Sequence, residues 1–200
     1  MLTELIQWAW DEDGSICNRT ISREQYRDDD FSGVEFQNVV FEHCVLERCD
    51  FTGSRFYGVR FVGCMVAGSI FRNTHWQDCV MQTCRGDGAS YDGSILRRMK
   101  FIDCVLGYGN FPETVLEQVT IQDSSLVRVA FREAKFRKLK LVNVDLSEGE
   151  FFKTSLKDVD LSECRIEGIR VSRSLQELRG AKINPGQAVD LMGLLGVELI

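Results

Sequence analysis

The sequence predicts an all-β solenoid built from five-residue repeats. Apolar residues occupy every fifth position from Phe31 to Val171 without a change of phase, in 28 of 29 cases. Twelve of the 13 phenylalanines lie on this lattice of large residues, and Gly86 is its single gap. A period of five fits neither an α-helix nor a flat strand, and a fixed repeat over most of a chain is typical of a solenoid.

A second lattice of small residues, mainly Cys, Ser, Thr, Val and Ala, lies two positions before each large residue. One large and one small inward side chain per pentapeptide describe a chain that turns one corner every five residues. Four corners close a square coil of about 20 residues, and coils pair about 4.8 Å apart. The pattern therefore predicts about seven coils in a rod of about 34 Å. Glycine favours the position two after the large residue, as at Gly53, where a tight turn is expected.

Individual units carry a family resemblance. Cys49-Asp50-Phe51-Thr52-Gly53 and Ala134-Lys135-Phe136-Arg137-Lys138 resemble the repeat of the pentapeptide repeat family, small-polar-large-x-x. The resemblance implies a right-handed quadrilateral β-helix. The expected organisation is an N-terminal cap with an irregular first coil (1–30), the β-helix (31–175), and a C-terminal helix with a short strand (176–200).

Both ends of a solenoid need caps, because a terminal coil exposes unpaired backbone and apolar surface. At the N-terminus, Leu2, Leu5, Ile6 and Ala9 have the spacing of a capping helix. At the C-terminus, Asn184 is predicted to cap a helix that starts at Pro185, with Gln187 three residues after the cap. Gly196 is suited to end this helix, its predicted apolar stripe is Ala188, Leu191, Met192 and Leu195, and residues 197–200 are predicted to form a short strand.

The C-terminal tail carries more apolar side chains than one coil end can hide, which predicts a homodimer interface rather than a simple cap. The candidate interface residues are Leu191, Met192, Leu194, Leu195, Val197 and Leu199. The tail from Leu178 to Val197 and the segment from Cys84 to Gly93 also resemble the Qnr-type quinolone-resistance group. That resemblance implies an end-to-end dimer through the tail. The unbroken phase from 31 to 171 is closer to relatives that lack the loops of Gram-negative Qnr-type proteins.

Charge is distributed unevenly along the chain. The net charge is −6, and residues 1–50 hold 12 acidic but only 4 basic side chains. With 20-residue coils, the side that begins at Phe41 has no Lys or Arg at the two positions after its large residues and presents Glu42, Asp103, Asp123 and Glu163. The side that begins at Phe36 presents Arg97, Arg98, Arg137, Lys138 and Lys157. An acidic rod can enter a basic groove built for DNA, although surface charge also serves simply to keep a rod in solution.

No motif for catalysis, phosphate binding or metal binding is present, so neither an enzyme nor a cofactor is expected. Seven of the eight cysteines lie on the small lattice and are predicted to be core residues. Cys44, Cys64, Cys84 and Cys104 are spaced so that a disulfide between coils is not excluded. The chain lacks a stretch of about 20 apolar residues and a visible signal peptide, which predicts a cytoplasmic protein without a membrane partner.

Two functions are compatible with these patterns. The resemblance to the Qnr-type group implies a DNA-mimicking protein that binds DNA gyrase or topoisomerase IV through Glu42, Asp103, Asp123 and Glu163. Such a protein would modulate the enzyme or protect it from quinolone-like inhibitors, and would not itself bind nucleic acid. The alternative is an interaction scaffold for another partner, because a fold does not dictate a function.

Overall fold

The computed structural model describes residues 1–12 and 14–196, which form a four-sided parallel β-solenoid with a cap at each end. Bridge partners differ by 20 residues, as in Ile16 with Phe36 and Phe36 with Phe56. We number the coils from coil 1 (residues 14–33) to coil 8 (residues 154–173). Sides 1 to 4 are centred, in coil 1, on Ile16, Ile21, Tyr26 and Phe31.

Sides 1 and 2 each carry a seven-stranded parallel sheet, whereas sides 3 and 4 are joined mainly by single bridges. The strands of side 1 are β1 (Ser15–Cys17), β4 (Glu35–Gln37), β7 (Arg55–Tyr57), β9 (His75–Gln77), β11 (Ile95–Arg97), β13 (Val115–Glu117) and β15 (Lys135–Arg137). Those of side 2 are β2 (Thr20–Ser22), β5 (Val40–Glu42), β8 (Arg60–Val62), β10 (Val80–Gln82), β12 (Lys100–Ile102), β14 (Thr120–Ser125) and β16 (Lys140–Asp145). Side 3 has β3 (Gln25–Arg27) and β6 (Val45–Glu47).

The large residues fill the bore in four columns, as the period of five predicted. The Phe41 and Phe61 rings stack with centroids 4.7 Å apart and planes 11° apart. Phe56 and Trp76 stack at 3.9 Å. The coil spacing of about 4.8 Å places consecutive rings of a column at stacking distance, so the β-ladder and the aromatic columns reinforce each other.

The small residues bond the coils from inside. Ser54 Oγ donates to the carbonyl of Phe31 (2.9 Å) and accepts from the N–H of Val34 (3.1 Å). Cys64 Sγ donates to the carbonyl of Phe41 at 3.3 Å. Because these backbone groups are shielded from water, a small side chain with a hydroxyl or thiol satisfies them better than alanine does.

The cysteines are free thiols in this structure, and the seven on the small lattice are buried. Burial raises the pKa of Cys49 and of Cys79 to about 11. A buried neutral thiol is a poor nucleophile, so the arrangement agrees with the predicted core role and not with a disulfide.

Replacing Ser54 with alanine is expected to lower the free energy of unfolding by about 2 kcal/mol, because it leaves a buried N–H and a buried carbonyl without partners. The Ser54→Cys variant is the control, since Cys79 makes the equivalent bond to the carbonyl of Phe56 at 3.3 Å. Urea unfolding followed by circular dichroism measures both. Equal stability of the alanine variant and the wild type would contradict this account of the small lattice.

The N-terminal end of the bore is closed by helix α1 (Leu2–Asp11), whose buried residues are Leu2, Ile6 and Ala9. The expected irregular first coil is not observed, because β1 to β3 pair in register with coil 2. Large side chains are tolerated at the small positions of coil 1 because a helix, not another coil, lies against them. Glu24, for example, accepts from the N–H of Leu2 at 3.0 Å.

At the other end, helix α2 (Gln187–Met192) and a 3₁₀ turn (Gly193–Leu195) follow coil 8. Asn184 and Gln187 bond reciprocally as predicted, with N···O distances of 2.8 and 3.1 Å. The left-handed Gly196 (φ 70) ends the segment, also as predicted.

The helix begins at Gln187, not at Pro185, and its buried face also differs from the predicted stripe. Gln187 is buried because its side-chain amide donates to the carbonyls of Leu161 (2.7 Å) and Cys164 (2.6 Å). This anchoring turns Ala188 and Leu195 outward. Within residues 1–12 and 14–196, no helix combines the length and apolar content required to cross a bilayer.

Candidate partner-binding surface

Three of the four predicted acidic residues share one column on side 2. Asp103, Asp123 and Glu163 occupy the position two after the large residue in coils 5, 6 and 8, and Asn143 occupies it in coil 7. With coils about 4.8 Å apart, the part of the column from Asp103 to Asn143 spans about 10 Å. Glu42 lies apart from it in coil 2, where it accepts from Ser22 Oγ at 3.1 Å.

Asp123 is the best-supported carboxylate of this column. Asn143 Nδ2 donates to its Oδ1 and Gln122 Nε2 to its Oδ2, both at 2.9 Å. These bonds, that from Asn143 first, lower the pKa of Asp123 below its usual value. Together with Asp103 and Asp145 it lines a shallow groove of about 400 Å³ at the corner between sides 2 and 3.

Side 2 also carries cations that the sequence analysis missed. In each strand the large residue is the middle one, so the residue before it faces outward as well as the residue after it. Arg60, Lys100 and Lys140 occupy this third outward position and are exposed. The acidic column therefore runs beside a column that contains positive charge.

On side 1, part of the predicted basic surface is neutralised by the neighbouring coils. Arg98 forms a bidentate pair with Asp78 at 2.6 and 2.7 Å, and Arg97 pairs with Glu117 at 3.1 Å. Both pairs join residues 20 apart. In the described part of the chain, the predicted cations of this side that form no ion pair are Arg137, Lys138 and Lys157.

A second acidic surface lies at the N-terminal corner between sides 3 and 4. Asp30 and Asp50 are bridge partners in adjacent coils, and Asp29 precedes them on the same corner. Asp28 is paired with Arg48 at 2.6 Å. The excess of acidic residues in positions 1–50 was the sequence signal for this surface.

The predicted dimer residues lie at the C-terminal end of the rod. Leu191 and Leu194 pack against the core and Met192 is half-buried. Leu195 is 59% exposed. Val189 and Ile183, two residues that the sequence analysis did not select, are 56% and 36% exposed. The predicted interface residues Val197 and Leu199, and the predicted strand 197–200, lie outside the described residues.

Comparison with known proteins identifies the family. The profile described as "Pentapeptide repeat region" matches residues 34–111, 54–131 and 94–171, which together span well over half of the chain. The chain belongs to the pentapeptide repeat family. A search of curated protein sequences finds no significant match.

A solved structure of a pentapeptide repeat protein shares the fold. Trypsin-treated QnrB1, a plasmid-mediated fluoroquinolone resistance protein, is similar with 20% identity, 94% of this chain and 100% of that chain covered, and a TM-score of 0.52. HetL, a pentapeptide repeat protein involved in heterocyst differentiation regulation in the cyanobacterium Nostoc, shows 14% identity, 90% and 96% coverage, and a TM-score of 0.40. The quadrilateral β-helix expected from the sequence is confirmed.

Proposed function

We propose that this pentapeptide repeat protein is a DNA-mimicking partner of a type II topoisomerase, DNA gyrase or topoisomerase IV. The proposal rests on the acidic column of Asp103, Asp123 and Glu163 on one side of the solenoid. The resemblance of the tail and of the segment 84–93 to the Qnr-type group supports it, as does the fold shared with a fluoroquinolone resistance protein. Bound in the enzyme's DNA groove, the rod modulates the enzyme or protects it from quinolone-like inhibitors.

The physical basis is a periodic array of negative charge. Each strand of B-DNA presents one phosphate per about 3.4 Å of helix axis, and the column of this protein presents one position per about 4.8 Å. A groove lined by Lys and Arg attracts either array through the same long-range field. Binding of this kind requires complementary charge and a narrow rod, and no catalytic group.

Dimerisation would lengthen the array. The exposed apolar side chains of Ile183, Val189 and Leu195 lie at the C-terminal end, and we infer that a second copy covers them. Two rods of about 38 Å joined end to end would measure about 75 Å without their caps. The N-terminal acidic corners of Asp29, Asp30 and Asp50 would then lie at the two outer ends.

The test is a gyrase and topoisomerase IV activity assay with purified protein, titrated with and without ciprofloxacin. The Asp103→Asn/Asp123→Asn variant is expected to weaken inhibition or protection about tenfold, because the loss of close charge pairs in an interface lowers the affinity by at least about this factor. The matched control is Glu113→Gln/Glu133→Gln, which removes two exposed carboxylates from the same coils and the same left-handed position on side 4 (φ 54 and 57). Equal loss in both variants would contradict a specific acidic face.

The alternative function, a scaffold for a different partner, is favoured by one observation. Lys100 and Lys140 stand beside the acidic column and reduce its net field. If the wild-type protein neither inhibits nor protects either topoisomerase, the scaffold function is the better explanation, and the partner is then sought by affinity capture followed by the same pair of charge variants.

A further inference from the structure

The β-ladder is interrupted between coils 7 and 8 on two of the four sides. The sheet of side 1 ends at β15 and that of side 2 at β16, although coil 8 follows both strands in the chain. On sides 3 and 4 the ladder continues, through the bridges from Asp145 to Arg165 and from Glu150 to Arg170. The two coils are therefore joined along one half of their circumference and open along the other.

The opposite edge of coil 8 bonds to the C-terminal cap. The N–H of Leu156 donates to the carbonyl of Glu177 at 2.8 Å, and that of Asp158 to the carbonyl of Gly180 at 2.9 Å. These donors and acceptors are 21 and 22 residues apart, whereas the equivalent bond from Gln118 to Arg137 joins residues 19 apart. The edge of coil 8 that faces coil 7 is unpaired on sides 1 and 2, and we define the slot as the opening between residues 134–143 of coil 7 and residues 155–163 of coil 8.

Backbone groups in the slot are unpaired. In coil 6 the N–H of Gln118 donates to the carbonyl of Arg137 at 2.8 Å. The equivalent N–H in coil 7, that of Lys138, has no hydrogen-bond partner among the described residues. Other backbone groups of coil 7 whose equivalents in coil 6 bond to the next coil also form no hydrogen bond to coil 8. With Lys138, the full set is the N–H groups of Phe136, Lys138, Leu141 and Asn143 and the carbonyls of Ala134 and Leu139. An unpaired strand edge of this kind is a template for another strand.

The slot also opens the bore to solvent. Phe136 and Leu139 are half-buried, whereas their equivalents in coil 6, Leu116 and Val119, are fully buried. A cavity of about 260 Å³ lies at the side 2 end of the slot, lined by Leu139, Lys140, Leu141, Val142, Asp158, Asp160, Ser162 and Glu163. An apolar side chain entering the slot on side 1 would meet the ring of Phe136.

On side 1, cations lie on both edges of the slot, which we call the upper lip (coil 7) and the lower lip (coil 8). Lys135 and Arg137 flank Phe136 on the upper lip, and Lys157 faces outward on the lower lip. All three are exposed and form no ion pair within the described residues. On side 2 the lips carry opposite charges, with Lys140 above and Asp160 below. The charge of the slot thus favours acidic groups on side 1.

We propose that the slot binds one extended segment of a partner protein by strand addition. The segment pairs with the open edge of coil 7, as in other complexes formed by β-augmentation. Because strand side chains alternate, an apolar side chain points inward to Phe136, and the acidic side chains before and after it point outward to Lys135, Arg137 and Lys157. The site uses neither Asp103 nor Asp123 and does not depend on the topoisomerase function.

Hydrogen exchange followed by NMR tests whether the edge is open in solution. The amide protons of Phe136 and Lys138 are expected to exchange at least about 100-fold faster than those of Leu116 and Gln118, which occupy the same positions in coil 6 with their bonds intact. Similar protection at both pairs of positions would show a closed ladder and overturn the proposal.

Fluorescence polarisation with the full chain tests the occupant. The probe is a fluorescein-labelled short peptide that alternates glutamate and valine. It is expected to bind and to slow exchange at Phe136 and Lys138. The same peptide with N-methyl groups on alternate amides cannot pair with an edge, and equal binding of this peptide would overturn the proposal.

Charge variants provide the matched control. Lys135→Glu/Arg137→Glu is expected to weaken peptide binding about tenfold or more, whereas Arg60→Glu/Lys100→Glu, in coils 3 and 5 where the ladder is closed, should change it less than about twofold. Equal losses would indicate general attraction to a basic rod and overturn the proposal. A variant ending at Gly196 that binds the peptide about tenfold more tightly would identify residues 197–200 of this chain as the occupant instead of a partner protein.

Discussion

Replacing Gly86 with leucine is expected to lower the free energy of unfolding by about 3 kcal/mol, although it restores the apolar lattice at its single gap. A Cβ at this buried position would lie 3.0 Å from both Leu106 Cδ2 and Val66 Cγ2. In the same coil, Tyr91 reaches across the bore to Met81, with Oη 3.6 Å from Sδ. The space that a large residue takes elsewhere is therefore already in use, and overpacking a dense core forces side chains out of their rotamers.

A double-mutant cycle measures this compensation. Tyr91→Leu alone should also destabilise the protein, but Gly86→Leu/Tyr91→Leu should cost less than the sum of the two single changes, because the smaller side chain at 91 releases volume for the one at 86. Gly86→Ala serves as the mild variant, since it adds only the Cβ. Additive costs in urea unfolding would show that the tyrosine ring does not compete for the space at Gly86.

Replacing Glu177 with glutamine is expected to lower the free energy of unfolding by about 2 kcal/mol at pH 7, because hydrogen bonds to a charged group are worth more than neutral ones. The carboxylate is buried, with 2% exposure. It accepts from the N–H of Lys153 at 2.9 Å and from Ser172 Oγ at 2.7 Å. The bond from Lys153 holds the segment after coil 8 against coil 7, and the bond from Ser172 holds it against the end of coil 8. In the glutamine variant, the side-chain NH2 group would face one of these N–H or O–H donors.

The effect of Glu177 should depend on pH. Burial acts to raise the pKa of Glu177, but the bonds from Ser172 and from backbone N–H groups outweigh it, and the pKa is lowered. A carboxyl whose folded pKa lies below its unfolded value stabilises the protein above the unfolded value of about 4.3, and this contribution is lost as the pH falls through the folded pKa. The difference in stability between wild type and Glu177→Gln should therefore be constant from about pH 6 to 8 and shrink below about pH 4. A constant difference down to about pH 2 would exclude a charged acceptor.

The pentapeptide lattice alone was sufficient to predict the columns of the bore, because a uniform period of five leaves one way to bury the large residues. The 20-residue coil also accounts for surface pairs such as Arg98 with Asp78 and Arg128 with Glu148, which stand one coil apart. The 20-residue coil also placed Asp103, Asp123 and Glu163 on one side of the solenoid, but it predicted neither the separate position of Glu42 nor the residues that surround the column. The lattice treats the residue before the large one as a spacer, whereas in a three-residue strand it faces outward, as Lys100 does.

The slot and the orientation of α2 could not have been predicted from the pattern. Leu156 and Leu161 keep the five-residue phase of the lattice. The repeat therefore does not predict that N–H groups of coil 8 bond to the carbonyls of Glu177 and Gly180, at a different separation along the chain. The bonds to the cap use the edge of coil 8 that faces away from coil 7, and their spacing is set by the segment that follows coil 8. The rotation of α2 likewise depends on Gln187. Its side chain donates to the carbonyls of Leu161 and Cys164, which are accessible to it only once coil 8 has folded.

Because bridge partners in the coils are 20 residues apart, the length of the rod and the orientation of its downstream part can be changed independently. Removing residues 54–73, one whole coil, would keep every column in phase and shorten the rod by about 4.8 Å. Removing five residues would instead turn everything downstream by a quarter revolution and present the acidic column of Asp103 and Asp123 in another direction. Insertions and deletions in such a chain can thus change the length of the rod and the direction in which a surface faces independently, while the packing of the remaining coils is preserved.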